Sequence, residues 1–103
     1  SLGGIFVAEA NNKIVGTFQL VITPQLNNSA RPFAVIENVI VSTHHRRQGI
    51  GKLMMNSAIN YAKDAGCSKV FLLSGKQRPY NHEFYKACGF TGNKRGFQIV
   101  FAG

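Results

Sequence analysis

The chain has few cysteines, few prolines and few acidic residues, and it contains no tryptophan. Its two cysteines, Cys67 and Cys88, lack metal-ligand or redox spacing and do not resemble a disulfide framework, which favours a reduced, cytoplasmic setting. No apolar run approaches the roughly 20 residues that a transmembrane helix needs, and the first residues do not have the layout of a signal peptide. We therefore expect no metal and no membrane partner.

The chain has four Asp and Glu residues and twelve Lys and Arg residues, which gives it a formal net charge of +8. This balance suits nucleic acid, an anionic membrane or a polyanionic small ligand. The basic residues are scattered except over residues 44–52, and no aromatic-interleaved RNA-binding motif or zinc-finger spacing accompanies them. The charge thus favours an anionic small ligand, with no nucleic-acid partner.

At 103 residues, 45% of them hydrophobic, the chain has the length of one globular domain, residues 1–103. Asn11-Asn12 between two apolar runs is a strong hairpin signal, and Gly66 and Gly89 are predicted to end two helices. The first helix should bury Ile50, Leu53, Met54, Ser57, Ala58, Tyr61 and Ala62. The predicted elements are strands over residues 4–10, 13–22 and 33–41, a helix over 47–65, a strand over 69–73, a helix over 79–88 and a strand over 97–101.

The order of these elements predicts the fold class. A helix that crosses over between the third and fourth strands requires those two strands to be parallel. The domain is therefore predicted to be α/β, with a mixed, mostly antiparallel sheet that has a parallel pair at its centre.

The segment from Val39 to Lys52 passes from an apolar strand through a basic turn into a helix that opens with Gly-x-Gly. The first N–H groups of a helix have no partner inside it, and glycines at 49 and 51 remove the β-carbons that would keep an anion away. The spacing fits neither a P-loop nor a dinucleotide fingerprint. This stretch alone is consistent with a pyrophosphate site or with a solvated basic turn.

Two segments together resemble one family. Arg46-Arg47-Gln48-Gly49-Ile50-Gly51 is similar to the Arg/Gln-x-x-Gly-x-Gly/Ala motif of the GNAT family of N-acetyltransferases. Residues 82–90, His-Glu-Phe-Tyr-Lys-Ala-Cys-Gly-Phe, resemble its Phe-Tyr-x-x-x-Gly-Phe segment. The resemblance covers residues 4–101 and implies the acyl-CoA N-acyltransferase fold with acetyl-CoA as cosubstrate.

Members of that family usually begin with a further strand and one or two helices, whereas this chain begins at what resembles their second strand. We therefore expect the N-terminal strand and helices to be missing here. An open sheet edge at that place would favour a homodimer.

The resemblance also implies a binding site for acetyl-CoA. The backbone of the strand would pair with the pantetheine arm, a bulge would splay that strand from the next, and the N–H groups of residues 47–52 would bind the pyrophosphate. Arg78 stands where the family often has Asn and is expected to reach a phosphate or an acidic acceptor group. The implied cofactor-binding residues are Val39, Ile40, Val41, Arg46, Arg47, Gln48, Gly49, Ile50, Gly51, Lys52 and Arg78.

Two residues are the catalytic candidates. Tyr85 matches the family's general-acid tyrosine; because a thiol titrates near 8.5 and a tyrosine near 10, full proton transfer is uphill by about 2 kcal/mol, which favours hydrogen bonding with partial transfer. Glu37 is one of only four acids, lies in the strand that leads into the site, and is expected to act as base or to orient the amine. Alternation places it on the face of Val35 and Val39 before any bulge. Its alternative role is a surface carboxylate paired with Lys or Arg.

Three functions remain open from the sequence. The first is an acetyl-CoA-dependent N-acetyltransferase that acts on a primary amine of a small molecule, which the basic surroundings suggest is anionic. The second is a coenzyme A-binding module without catalysis. The third, a basic nucleic-acid-binding domain, would make both motifs coincidental.

Overall fold

A computed structural model describes residues 2–24, 31–45, 49–73, 82–92 and 97–102, without the side chains of Leu2 and His82. Four strands form one sheet in the order β1-β2-β3-β4, in which β3 and β4 are parallel and the other neighbours antiparallel. This confirms the predicted mixed α/β fold and its parallel pair. The elements are β1 (Leu2–Ala10), β2 (Lys13–Thr23), β3 (Phe33–Val41), a 3-10 turn (Thr43–His45), α1 (Ile50–Asp64), β4 (Val70–Leu72) and α2 (His82–Ala87).

The first hairpin turns at the predicted asparagines. Asn11 and Asn12 have φ of 52° and 64°. A two-residue loop with positive φ at both positions is the type I′ turn, whose twist matches that of the flanking strands. Asparagine tolerates this conformation better than most residues, so the turn follows directly from the sequence.

Both helices end at the predicted glycines. Gly66 has φ of 82°, its N–H donates to the Lys63 carbonyl (3.0 Å), and the Cys67 N–H donates to the Ala62 carbonyl (3.0 Å). Gly89 has φ of 106° and closes α2 in the same way, with the Phe90 N–H donating to the Tyr85 carbonyl at 3.1 Å. These are Schellman motifs, which favour glycine at the left-handed position.

The buried face of α1 differs from the predicted one. Leu53 and Tyr61 are 67% and 42% exposed, and Ser57 is also exposed, whereas Met55 is fully buried. Both possible stripes share Met54, Ala58 and Ala62, so periodicity alone could not choose between them. The observed stripe places small residues against the sheet; it consists of Gly51, Met54, Met55, Ala58 and Ala62. The helix begins at Ile50 rather than at residue 47, because Gly49 has φ of 80°.

The strand predicted over residues 97–101 is wrong. Residues 97–102 belong to no strand, and Phe97 and Phe101 are 89% and 86% exposed. An apolar, β-branched sequence makes a strand only where its backbone finds a partner to pair with, and this segment pairs with none of the four strands. Consequently β4 lies at the edge of the described sheet.

The core lies between α1 and one face of the sheet, and α2 adds Tyr85 to it. Gly16 in β2 sits where α1 approaches the sheet: a β-carbon there would lie 2.7 Å from the Met54 sulfur and 3.3 Å from the Ile40 carbonyl oxygen. Since Met54 is itself buried, it has little room to move. Gly16 therefore permits the close packing of α1 against β2 and β3.

We predict that Gly16→Ala destabilises the fold by about 1–3 kcal/mol, because the added methyl overpacks this contact. Gly4→Ala is the matched control, since a β-carbon at Gly4 meets nothing within 4 Å. Urea unfolding measures both. Equal free energies of unfolding for the two variants would contradict the packing described here.

Candidate active site

β3 contains a bulge at Asn38. Gln19 of β2 stands opposite Glu37, but Thr17 stands opposite Ile40, so two residues of β3, Asn38 and Val39, occupy the space of one. Asn38 has φ of 57°. A positive φ in a strand is the mark of a bulge that re-aims the following side chains. The bulge that the family resemblance implied in this strand is thus present, at a residue that we did not single out; an asparagine inside an apolar strand was the available signal.

The bulge changes which residues of β3 face the core: even-numbered residues before it and odd-numbered residues after it. Ala34 and Ile36 are buried against the core before it, and Val39 and Val41 pack on the same core after it. Glu37 therefore faces away from the core while Val39 faces toward it. Strict alternation would place these two residues on one face, but the extra residue of the bulge shifts the alternation by one position and separates them.

The described pairing of β3 with β4 ends before the bulge. It runs from Ala34↔Val70 to Ile36↔Leu72, and the last bond is from the Leu73 N–H to the Ile36 carbonyl at 2.9 Å. Over residues 37–40, no other strand in the described part of the chain pairs with this edge of β3. The predicted pantetheine-binding residues Val39, Ile40 and Val41 lie in the last part of β3, at and after the bulge.

The start of α1 lies next to the end of β3. The Ile50 side chain and the Ile40 carbonyl both border Gly16, within 3.5 Å of the position its β-carbon would take. Gly49 is the N-cap residue and has no side chain with which to cap the helix; the first helical bond runs from the Leu53 N–H to the Gly49 carbonyl, at 3.1 Å. The N–H groups of Ile50, Gly51 and Lys52 thus have no acceptor within the helix.

Several predicted cofactor residues, Arg46, Arg47, Gln48 and Arg78, lie outside the described residues. The uncapped N–H groups of α1 still make its first turn suited to an anion, because the helix dipole adds partial positive charge there. The Lys52 side chain is exposed in this turn and contributes a full charge.

Tyr85 is buried, with 6% of its surface exposed, and is part of the core. Its ring makes edge contacts with Phe84 and Phe90, at centroid distances of 5.4 and 6.3 Å. These contacts and the Schellman motif after α2 hold the ring in place. Its backbone carbonyl accepts from both Cys88 and Phe90.

The pKa of the Cys88 thiol, which directly follows α2, depends on a charged residue at the start of α1. Burial raises the pKa of Cys88, and the positive charge of Lys52 opposes that rise. Lys52 is therefore within electrostatic reach of Cys88, which lies one helical turn after Tyr85. Ile50 and Cys88 both pack against the core that contains Tyr85, so the first turn of α1 and the Tyr85 helix lie in the same region of the molecule.

Glu37 is half-buried, and within the described part of the chain its carboxylate has no hydrogen-bond or ion-pair partner. The alternative of a surface carboxylate paired with Lys or Arg is therefore not observed there. The Glu37 side chain lies on the face of the sheet away from the core. It is available to accept a hydrogen bond from an amine.

Among the residues that the structure describes, no three or more His, Cys, Asp or Glu side chains cluster so that they could hold a metal ion. No helix among these residues is long and apolar enough to cross a membrane. Both cysteines are free.

Comparison with known proteins gives a consistent result. The sequence model of the acetyltransferase (GNAT) family matches residues 1–90. The chain belongs to the GNAT acetyltransferase family. It superimposes on the solved structure of a putative acetyltransferase from Agrobacterium tumefaciens str. C58 with a TM-score of 0.85 and 47% identity, covering 94% of this chain and 67% of that one.

Two named relatives carry the same enzyme name. The glucosamine 6-phosphate N-acetyltransferase of Trypanosoma brucei brucei is 28% identical over 95 residues, which cover 92% of this chain and 63% of that protein. The glucosamine-6-phosphate N-acetyltransferase of Arabidopsis thaliana has a TM-score of 0.85 at 26% identity, covering 95% of this chain and 66% of that one. The GNAT chain thus spans less than two thirds of the curated relatives that it matches.

We predict that Lys52→Met raises the pKa of Cys88 further, because the variant loses the charge that stabilises the thiolate. Alkylation of Cys88, followed by mass spectrometry over a pH series, should then have its midpoint at higher pH. Lys63→Met, at the other end of α1, is the control and should leave the midpoint unchanged. Identical midpoints in both variants would contradict the proximity of α1 and α2.

Proposed function

We propose that this GNAT domain, residues 1–103, transfers an acetyl group from acetyl-CoA to a primary amine of a small molecule. The observation that carries the proposal is the bulged end of β3, which lies next to the start of α1 and whose edge away from β2 pairs with no described strand over residues 37–40. An extended arm that ends in a pyrophosphate fits this arrangement, because strand-like backbone groups lie beside the first N–H groups of a helix, which have no acceptor within it.

Acetyl-CoA, when bound, would supply the thioester whose acetyl group is transferred. Val39, Ile40 and Val41 would pair with its extended arm through backbone N–H and carbonyl groups. Gly49, Ile50, Gly51 and Lys52 would hold its phosphates, joined by Arg46, Arg47, Gln48 and Arg78. The net charge of +8 favours such an anionic cosubstrate and should raise its rate of association at low salt.

The catalytic residues of the proposal have separate tasks. The Val39 N–H donates to the acetyl carbonyl oxygen, where negative charge develops during attack. Tyr85 donates a hydrogen bond to the departing sulfur. Glu37 orients the acceptor amine by accepting a hydrogen bond from it and takes up the proton that the nitrogen loses on attack, directly or through water. Alignment of the two reactants supplies a large part of the acceleration.

The acceptor class is proposed from the relatives and the charge. Two relatives are named for glucosamine 6-phosphate, an amine that carries a phosphate. The excess of basic residues is consistent with an acceptor of that kind. We place the activity in the cytoplasm, in agreement with two free cysteines, and a homodimer is part of the same proposal.

Release of coenzyme A thiol from acetyl-CoA with a panel of small amines tests the proposal. Turnover with an amine sugar phosphate or another small amine supports it. Binding of acetyl-CoA without turnover of any amine would favour the binding module instead. If acetyl-CoA does not bind, and oligonucleotides bind with a steep salt dependence, the nucleic-acid alternative replaces the proposal.

We expect Tyr85→Phe to lower kcat by about 10- to 100-fold with little change in KM for acetyl-CoA, since a hydrogen bond to a charged group contributes about 1.5–3 kcal/mol. Phenylalanine keeps the buried ring and its edge contacts. The control is Tyr61→Phe, which removes a hydroxyl from a tyrosine that is 42% exposed on α1. Similar kcat values for both variants would rule out a role for the Tyr85 hydroxyl.

Glu37→Gln should lower kcat/KM for the amine by about tenfold or more at pH 7, because general-base assistance typically contributes factors of about 100 or more. The deficit should shrink as the pH rises, since the free amine then loses its proton without help. Glu9→Gln, at an exposed position of β1, is the control. A pH-independent deficit would assign Glu37 an orienting task alone, and no deficit would remove it from the site.

A further inference from the structure

Two amide side chains meet across β2 and β3 at the bulge. The Asn38 Nδ2 donates to the Gln19 Oε1 at 3.0 Å, and this bond is exposed. Asn38 can make it because the positive φ of the bulge brings its side chain over the neighbouring strand. This hydrogen bond holds the two amide groups together, a contact that the sequence alone does not predict.

The amide pair lies beside the candidate base. Gln19 is the direct cross-strand partner of Glu37, so their side chains share one face of the sheet. The other neighbour of Gln19 is Ile5 of β1, and the next pair along the strands is Val21↔Val35. The carboxylate and the two amides thus form a polar group bordered by apolar side chains.

The hydrogen-bonding capacity of the pair is only partly used. Each amide has one carbonyl and one NH₂ group, and the bond between them occupies one of each. The Asn38 Oδ1 and the Gln19 Nε2 have no other partner within the described part of the chain. The pair therefore keeps one unused acceptor and one unused donor, and a hydroxyl group, which both donates and accepts, can bond to either of them.

We propose that Gln19 and Asn38 bind a hydroxyl group on the carbon next to the acceptor amine, so that the preferred acceptors are vicinal amino alcohols, including amino sugars. The inference rests on the proposed function, in which Glu37 receives the amine. With the amine at Glu37, a hydroxyl on the adjacent carbon is within reach of a side chain directly across the strand pair. An anionic group directly beside the amine is disfavoured, because Glu37 would repel it, and any phosphate of the acceptor must lie farther away.

The test compares two amines that differ by one hydroxyl, trans-2-aminocyclohexanol and cyclohexylamine. The quantity measured is the ratio of their kcat/KM values with the full chain and saturating acetyl-CoA. Asn38→Gly removes the amide but tolerates the positive φ, and Gln19→Leu removes the other amide. Each variant should lower the ratio about tenfold, the effect of about one hydrogen bond. Intrinsic differences between the amines cancel when ratios are compared among variants.

The matched control is Asn12→Gly, which makes the same substitution at a positive-φ asparagine in the first hairpin turn. Its ratio should equal that of the unaltered chain. Unchanged ratios in both Asn38→Gly and Gln19→Leu would overturn the inference while leaving the acetyltransferase proposal intact.

A binding measurement distinguishes failure of the proposed acetyltransferase activity from failure of the proposed hydroxyl site. If the chain acetylates neither amine, the side-chain NH₂ resonances of Gln19 and Asn38 are followed during titration with each amine in the presence of coenzyme A. Shifts caused by the amino alcohol alone would support the hydroxyl site even though the activity proposal fails. Equal shifts, or none, would overturn the hydroxyl site as well.

Discussion

The extra residue at Asn38 controls the geometry on which the whole candidate site depends. Without it, β3 would continue its regular alternation and Val39 would share a face with Glu37. With it, Val39 and Val41 pack on the core and Glu37 remains on the opposite face. A left-handed residue costs on the order of 1 kcal/mol for most side chains and less for asparagine, so the bulge is inexpensive here.

The remaining elements place chemical groups around the end of β3. Gly16 lets α1 come close to β2 and β3, so the start of the helix, whose first N–H groups have no acceptor within it, lies next to the end of β3. The burial of Tyr85 in the core that also contains residues of β2, β3 and α1 holds α2 nearby. Each contact is modest by itself. Together they bring a strand edge, a helix start and a phenol to one side of the molecule.

The sequence predicts the fold well where local chemistry decides. Asn11-Asn12, Gly66 and Gly89 each require or favour a positive φ, and each occupies such a conformation in the structure. The parallel pair followed from the crossover helix. Tertiary packing decides the features that the sequence did not predict correctly. Periodicity could not select which of two faces of α1 is buried, and the apolar residues 97–101 pair with no strand of the described sheet.

In the candidate site, too, local sequence predicts some features and tertiary structure decides the others. The Gly-x-Gly motif and the Phe-Tyr segment identified the family and the elements that carry the site. The orientation of Glu37 relative to Val39 could not be read from alternation, because one inserted residue reverses it. The pairing of Gln19 with Asn38 joins residues 19 positions apart and depends on strand register, which the sequence did not specify.

The most direct measurement is backbone amide hydrogen exchange of the full chain with and without coenzyme A. If the end of β3 and the start of α1 bind the cosubstrate, protection should increase at residues 39–41 and 50–52. The edge strand β1, around Ile5 and Val7, should not change. Bound coenzyme A that protects neither segment, or protects β1 equally, would contradict the account.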